Sequence, residues 1–321
     1  MREPLAPPSL DEIHRARERI AGVALRTPLI PFVTAGAPAP ILLKLESLQP
    51  IGSFKLRGAA NAMALAGRDA LAGGVYTASA GNMAQGVAWC ARDFGIRCGV
   101  IVPDSAPATK VDAIERLGAE VIKVPFDEWW SAMVNHGRPG MTGLFIHPFA
   151  DAGVMAGNAT IGLEILADDP RVDTILVPWG GGGLACGIAS AVRATAPSVR
   201  VYAVEVDVAA PLSASLERGE ATTITPTRSW VDGIGGRAVA SEMFPLAQAL
   251  LAGVIRVSLS QVAGAVRRLA LERRIVVEGA GAAPVAAALA GISDAACVAC
   301  VVSGGNIDGA TLASIIAGND Q

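Results

Sequence analysis

Short apolar runs alternate with segments of helical spacing along almost the whole chain, and that alternation restricts it to layers of sheet and helix. The runs ILLKLE (41–46), GGVYTAS (73–79), CGVIVP (98–103), EVIKVP (120–125), TILVPW (174–179), VRVYAVEV (199–206) and ACVACVVS (296–303) have the length and β-branched content of strands. Most lead into helix-period segments: SFKLRGAANAMALA, GNMAQGVAWCARDFG ending at Gly95, ATKVDAIERLG stopped by Gly118, LACGIASAVRAT, SQVAGAVRRLALERR and, after the last strand, GGNIDGATLASIIAG. Strand–helix alternation predicts an α/β fold with mostly parallel sheet covered by helices on both faces. Such sheets bind ligands at the carboxyl ends of their strands. Ser79, Gly180 and Ser303 all fall at strand-to-helix transitions, which points to one shared site.

Four segments carry chemistry. In VPWGGGGLACG, Gly180, Gly181, Gly182 and Gly183 stand between a strand and a helix. Glycine permits positive φ and close backbone approach, and amides at a helix start form an anion cradle. No Lys-Ser/Thr follows, so the nucleotide-triphosphate loop pattern fails, and the dinucleotide glycine spacing is not met. Lys55, beside Phe54 and just before Arg57, sits between an apolar strand and a helix. It reads either as a solvated helix-start lysine or as an amine of lowered pKa suited to covalent chemistry. In TASAGNMAQG (77–86), Ser79 and Asn82 flank a helix start, as an ordinary cap or a carboxylate site. In VVSGGNIDG (301–309), Ser303 is either a capping serine or an uncharged hydroxyl for a ring nitrogen.

Composition narrows the class. With 52% hydrophobic and 17% charged residues over 321 positions, a large core and about two domains are expected. A net charge of −3 with no basic stripe excludes a nucleic-acid partner on this reading, and no polybasic run addresses a membrane. VVEGAGAAPVAAALAGI is broken by Gly, Pro and Glu278 and reads as buried structure, not a membrane span. The first twenty residues lack an apolar signal core, and five cysteines show no disulfide framework; a reducing cytoplasm is the expected location. Cys297 and Cys300 form CxxC within a strand, where residues three apart face opposite ways, so buried strand cysteines are expected there.

Taken in order, RTPL (26–29), GSFKLRGA, TASAGNMAQG, IHPFADAGVMAGNATIGLEIL (146–166), GGGGL, VDGIG (231–235), VEGAGA (277–282) and SGGN resemble the fold-type II pyridoxal-phosphate (PLP) enzymes, specifically the threonine/serine dehydratase and serine racemase family. The resemblance implies a two-lobed, tryptophan synthase β-like fold. A large PLP-binding domain would comprise residues 1–72 and 151–321, and a small substrate-binding domain residues 73–150. It implies that Lys55 holds PLP as an internal Schiff base and later moves the Cα proton. Phe54 would pack on the pyridine ring, Asn82 bind the ring hydroxyl, Gly180 to Leu184 bind the phosphate and Ser303 contact the ring nitrogen. Ser79, Ala80, Gly81, Asn82 and Met83 would receive the substrate carboxylate. The implied activity is an ammonia-lyase (dehydratase) of a β-hydroxy-L-amino acid such as threonine or serine, in a homodimer.

Departures from the family pattern leave other readings open. Racemases carry a serine where this chain has Ala80, which cannot transfer a proton; lyase therefore ranks above racemase. Met83 replaces the usual His, and Trp179 precedes the glycines; either reshapes the site, toward a 3-hydroxyaspartate or phenylserine type of substrate, or is packing. Loss of turnover in a PLP-binding protein is a further alternative. In metal-activated relatives a Glu, a backbone carbonyl and an Asp bind the cation. Glu205 and Ala209 match the first two, but the third falls on Pro211; with Asp207 as the only nearby substitute, no firmly bound metal is expected. The chain runs about fifteen residues past SGGN, so no C-terminal regulatory domain is expected.

Overall fold

The computed structural model describes residues 3–318. Its strands are β1 (Leu29–Pro31), β2 (Ile41–Leu45), β3 (Val75–Ala78), β4 (Cys98–Pro103), β5 (Glu120–Val124), β6 (Leu144–Phe145), β7 (Thr174–Pro178), β8 (Arg200–Val206), β9 (Gly253–Val257) and β10 (Val298–Val302). Its helices are α1 (Leu10–Arg19), α2 (Lys55–Leu71), α3 (Asn82–Phe94), α4 (Ala108–Glu115), α5 (Phe126–Val134), α6 (Ala152–Asp168), α7 (Gly183–Thr195), α8 (Pro211–Arg218), α9 (Phe244–Leu250), α10 (Leu259–Arg268), α11 (Gly279–Ala290) and α12 (Gly309–Ala317).

They form two sheets. The larger has the order β1-β2-β10-β7-β8-β9 and is parallel except for β1, which runs antiparallel to β2. The smaller, β5-β4-β3-β6, is parallel throughout. All seven sequence-predicted strands are present. β1, β6 and β9 escape the sequence pattern because two or three residues show no periodicity, and β9 carries an exposed Arg256.

Burial on both faces explains the continuous apolar runs. Along β10, Val298, Cys300 and Val302 face a core shared with α10 and α11, while Ala299 and Val301 face one shared with α6 and α7. Cys297 lies on the second side and Cys300 on the first, as the CxxC reading requires. Both thiols are free, and burial raises their pKa.

α2 bridges the two sheets. Its Leu56, Ala59, Ala60 and Met63 join Met83 and Val87 of α3 and Val100 and Val102 of β4 in one apolar cluster. Its other flank meets α6 so closely that a Cβ on Gly157 would lie 2.4 Å from the Arg57 carbonyl. The helix is kinked at Gly67, where φ is +79°, one residue past its expected end. Among the described residues no helix is long and apolar enough to cross a membrane; α11, which carries most of the VVEGAGAAPVAAALAGI run, is buried against β10.

Candidate active site

Lys55 is the first residue of α2, so its backbone carries the positive end of that helix and its side chain extends beyond it. Nζ donates a 2.6 Å hydrogen bond to the Pro148 carbonyl and stands 5.1 Å from the centre of the Phe54 ring. Burial lowers its pKa to about 8, against a partial opposing pull from the negative charge of Glu278. At pH 8 about half of such amines are neutral, against about 0.3% for an ordinary lysine. The turn that accepts from Nζ is fixed from behind: the amides of Phe149 and Ala150 both donate to Nδ1 of His147, which sets that imidazole as an acceptor at this nitrogen.

The same turn underlies the glycine loop. A Cβ on Gly181 would fall within 2.1 Å of the Phe149 ring, and one on Gly183 within 2.5 Å of the Phe149 carbonyl. Gly182 has φ +93°, a left-handed conformation that sends the chain into α7 with no side-chain cap. Among the described residues no group accepts from the amides of Gly180 through Ala185. Six consecutive donors at the positive end of a helix, half of them in a backbone that tolerates only glycine, fit a phosphate monoester.

A second row of free donors lies at α3. The Gly81 amide bonds the Ser79 hydroxyl at 3.2 Å, while the amides of Ala80, Asn82, Met83 and Ala84 have no acceptor among the described residues. A carboxylate suits this position. The Met83 side chain points away from it, 1% exposed in the α2–α3 core, so the departure from the usual His is packing. Trp179 is likewise buried, its ring filling the space beneath Gly182.

Ser303 ends β10 and is drawn to Lys55 by pairing of Ser53 with Gly304, with the Phe54 amide donating to the Ser303 carbonyl at 3.0 Å. Asn82 reaches the same region: its Nδ2 donates to Glu278 Oε1 at 2.8 Å, and its Oδ1 accepts from Asn306 Nδ2 at 2.7 Å. The structure thus brings Phe54, Lys55, Asn82, the glycine loop, Ser303 and the Ser79–Met83 loop to one place. Sequence reasoning passed over Pro148, Phe149, Asn306 and Glu278; a lone acid inside an apolar run was the available signal for Glu278.

A cleft of about 700 Å³ opens beside Glu278, between Pro103, Lys110 and Phe126 on one side and Trp230, Asp232 and Asn306 on the other. Lys110 and Asp232 form an ion pair across it, and Arg237 lies 4.2 Å over the Trp130 ring. Glu205 is engaged with the start of α8. Its two oxygens accept from Leu212 N, Ser213 N and Ser213 Oγ at 2.7–2.9 Å, which uses it to cap α8, and Pro211 supplies no carboxylate.

Rows of unpaired amides at the carboxyl ends of strands in two sheets, with the Lys55 amine bonded to the turn beneath one of them, mark the chain as an α/β enzyme. The chain belongs to the pyridoxal-phosphate dependent enzymes, whose family model matches residues 20–304, and its two mostly parallel sheets are those of fold-type II. It is 44% identical to the L-threonine ammonia-lyase of Geobacter sulfurreducens over 281 residues, covering 86% of this chain and 70% of that one. Among solved structures it matches a T.th. threonine deaminase with a TM-score of 0.86 at 35% identity, over 94% and 99% of the two chains. It matches maize serine racemase with a TM-score of 0.88 at 30% identity, over 98% of each.

Proposed function

We propose that this chain is a PLP-dependent ammonia-lyase that converts L-threonine or L-serine to the α-keto acid and ammonia. The observation that carries the reading is the Lys55 amine bonded to the turn that underlies a row of unpaired glycine amides. The relatives named as threonine ammonia-lyase and threonine deaminase support it.

The residues divide the work. The amides of Gly180 to Leu184 would hold the cofactor phosphate, Phe54 would pack on the ring, Ser303 would meet its nitrogen with a neutral hydroxyl, and Asn82 would meet its ring oxygen. When bound, PLP supplies an electron sink for the pair left at Cα after proton loss. Ser79 and the amides of Ala80 to Met83 would fix the substrate carboxylate and so orient the Cα–H bond. Lys55 Nζ, about half of it uncharged near pH 8, takes that proton as general base. Loss of the β-hydroxyl and later hydrolysis by water give the keto acid and ammonia. Ala80 offers no proton to the face opposite Lys55, which favours elimination over racemisation.

The β1-β2-β10-β7-β8-β9 sheet with residues 1–72 and 151–321 would form the cofactor lobe, and residues 73–150 the substrate lobe. Residues 1–2 and 319–321 of this division lie outside the described structure. Five free, buried cysteines support a reducing cytoplasm. Exposed Leu48, Leu271 and Val276 offer apolar surface for a homodimer. The test is a keto-acid assay over L-threonine, L-serine, threo-3-hydroxyaspartate and phenylserine, with chiral analysis of the remaining substrate. Keto acid from threonine or serine is expected; D-amino acid as the main product would overturn the assignment.

A further inference from the structure

Glu278 has no part in the chemistry above, yet it is buried where α3, α11 and the Ser303 turn meet. It occupies the N-cap of α11 but does not cap that helix with its side chain. Its backbone amide instead donates to the Gly304 carbonyl at 3.1 Å, and its carboxylate lies so near Gly304 that a Cβ there would be 2.3 Å from Oε1. A helix-stabilising role is therefore not what keeps an acid at this position.

The hydrogen bonds around it run in one direction. Asn306 Nδ2 donates to the Ile51 carbonyl at 2.9 Å and to Asn82 Oδ1 at 2.7 Å. A backbone carbonyl only accepts, so the Asn306 amide has one permitted sense and both its hydrogens are committed. Asn82 must then turn its oxygen toward Asn306 and its nitrogen toward Glu278, 2.8 Å away. One Asn82 N–H is left over, with no acceptor among the described residues.

We propose that Glu278 is a positioning residue that, through Asn82, presents a fixed N–H donor to the ring oxygen of the cofactor and so favours the anionic form of that oxygen. The inference rests on the cofactor reading given above. The ionisable groups facing Glu278 are Asp232 from the VDGIG loop, Lys110 from α4 and Lys55 from α2, with Asn82 as its hydrogen-bond partner from α3. Burial and the nearby charge of Asp232 raise its pKa to about 7, against the opposing effects of Asn82, Lys110 and Lys55. The proton it gains near neutrality leaves a carbonyl oxygen that still accepts from Asn82. Glutamine shares that oxygen and lacks the titration, while alanine lacks both.

The experiment loads wild type, Glu278→Gln and Glu278→Ala with PLP and records the visible spectrum from pH 6 to 8.5, with cofactor dissociation constants from quenching of protein fluorescence. The Glu278→Ala enzyme is expected to show a displaced absorbance maximum and five- to tenfold weaker cofactor binding, the scale of one lost hydrogen bond. The Glu278→Gln enzyme is expected to keep the wild-type maximum but to lose a spectral transition near pH 7. A loaded Glu278→Ala enzyme with the wild-type band and affinity overturns the role of Glu278 alone. Should that variant not fold, a Glu278→Gln titration superimposed on wild type overturns it equally. A wild type that takes up no PLP overturns the cofactor reading, and this inference with it.

Discussion

Replacing Arg57 with alanine tests whether the catalytic helix is anchored by buried charge. Arg57 is 1% exposed and uses its whole guanidinium fork. Nε and Nη2 grip Glu46 at 2.8 and 2.9 Å, Nη1 and Nη2 grip Glu164 at 2.7 and 2.8 Å, and Nη2 also reaches the Leu25 carbonyl. Glu164 keeps Lys44 at 2.6 Å after the substitution, but Glu46 is left with Thr27 and Gln49, which are neutral. Breaking a buried pair from one side costs about 3–5 kcal/mol, because a carboxylate stays in low dielectric without its ion-pair partner, with only the charge of Lys44 left nearby. An unfolding entropy of about 2.1 cal/mol/K per residue gives roughly 0.7 kcal/mol/K for a chain of this size, so the melting point should fall by about 4–8 °C. Lysine at 57 keeps the charge but offers three donors in place of five, and should recover part of the loss. Calorimetry of the apoenzymes at pH 7 reads both. An Arg57→Ala protein melting within about 1 °C of wild type would refute the claim that this network stabilises the fold.

Other outcomes follow from the same contacts. Lys55→Ala should abolish turnover by at least about a thousandfold, since the general base is gone, while an intact far-ultraviolet spectrum shows the fold retained. Gly183→Ala drives a methyl group to 2.5 Å from the Phe149 carbonyl, and Gly182→Ala forces a left-handed φ onto alanine as well as contact with Trp179. Both should weaken PLP binding, measured by equilibrium dialysis, and cost about 1–3 kcal/mol of stability. Glu46 is pushed up by burial but pulled further down by Arg57, Thr27 and Lys44, so its net pKa lies below the ordinary value. As pH falls, the unfolded chain takes up the proton first. The stabilisation is therefore complete above about pH 4.5 and is lost as pH drops further, and wild type should lose more stability than Glu46→Gln between pH 5 and 3 in acid unfolding followed by circular dichroism.

The sheet frame was legible because buried parallel strands need unbroken apolar runs, and the glycine and serine breaks after β3, β7 and β10 mark the ends at which ligands bind. What hid the rest was long-range pairing. Lys44 interrupts an otherwise apolar β2, and nothing local to ILLKL says that its ammonium is fully buried; its partner Glu164 is 120 residues away. Arg57 reads as a surface residue of a helix start until Glu46 and Glu164 are brought beside it. Met83 stands in the loop motif with its amide unpaired among the described residues, yet its side chain packs into the α2–α3 core, which no local pattern foretells. Glu278 was visible only as an anomaly, since its partner Asn82 lies 196 residues earlier.

These buried charges and the glycines serve one mechanical end. On the function proposed above, a lysine that would first bind a cofactor and then carry a proton needs a moving side chain on an immobile backbone. α2 is pinned on one flank by Gly86 of α3, where an added Cβ would stand 3.2 Å from the Lys55 carbonyl. On another it is pinned by Gly157 of α6 against the Arg57 carbonyl, and along its buried face by the Arg57 fork into Glu46 and Glu164. The partner surfaces differ: the Pro148–Phe149 turn meets Lys55 through one hydrogen bond, and the glycine loop and the Ser79–Met83 loop keep amides free among the described residues. Rigidity is concentrated behind the amine and unmet hydrogen-bonding capacity in front of it, which is the distribution a lysine-based cofactor site requires.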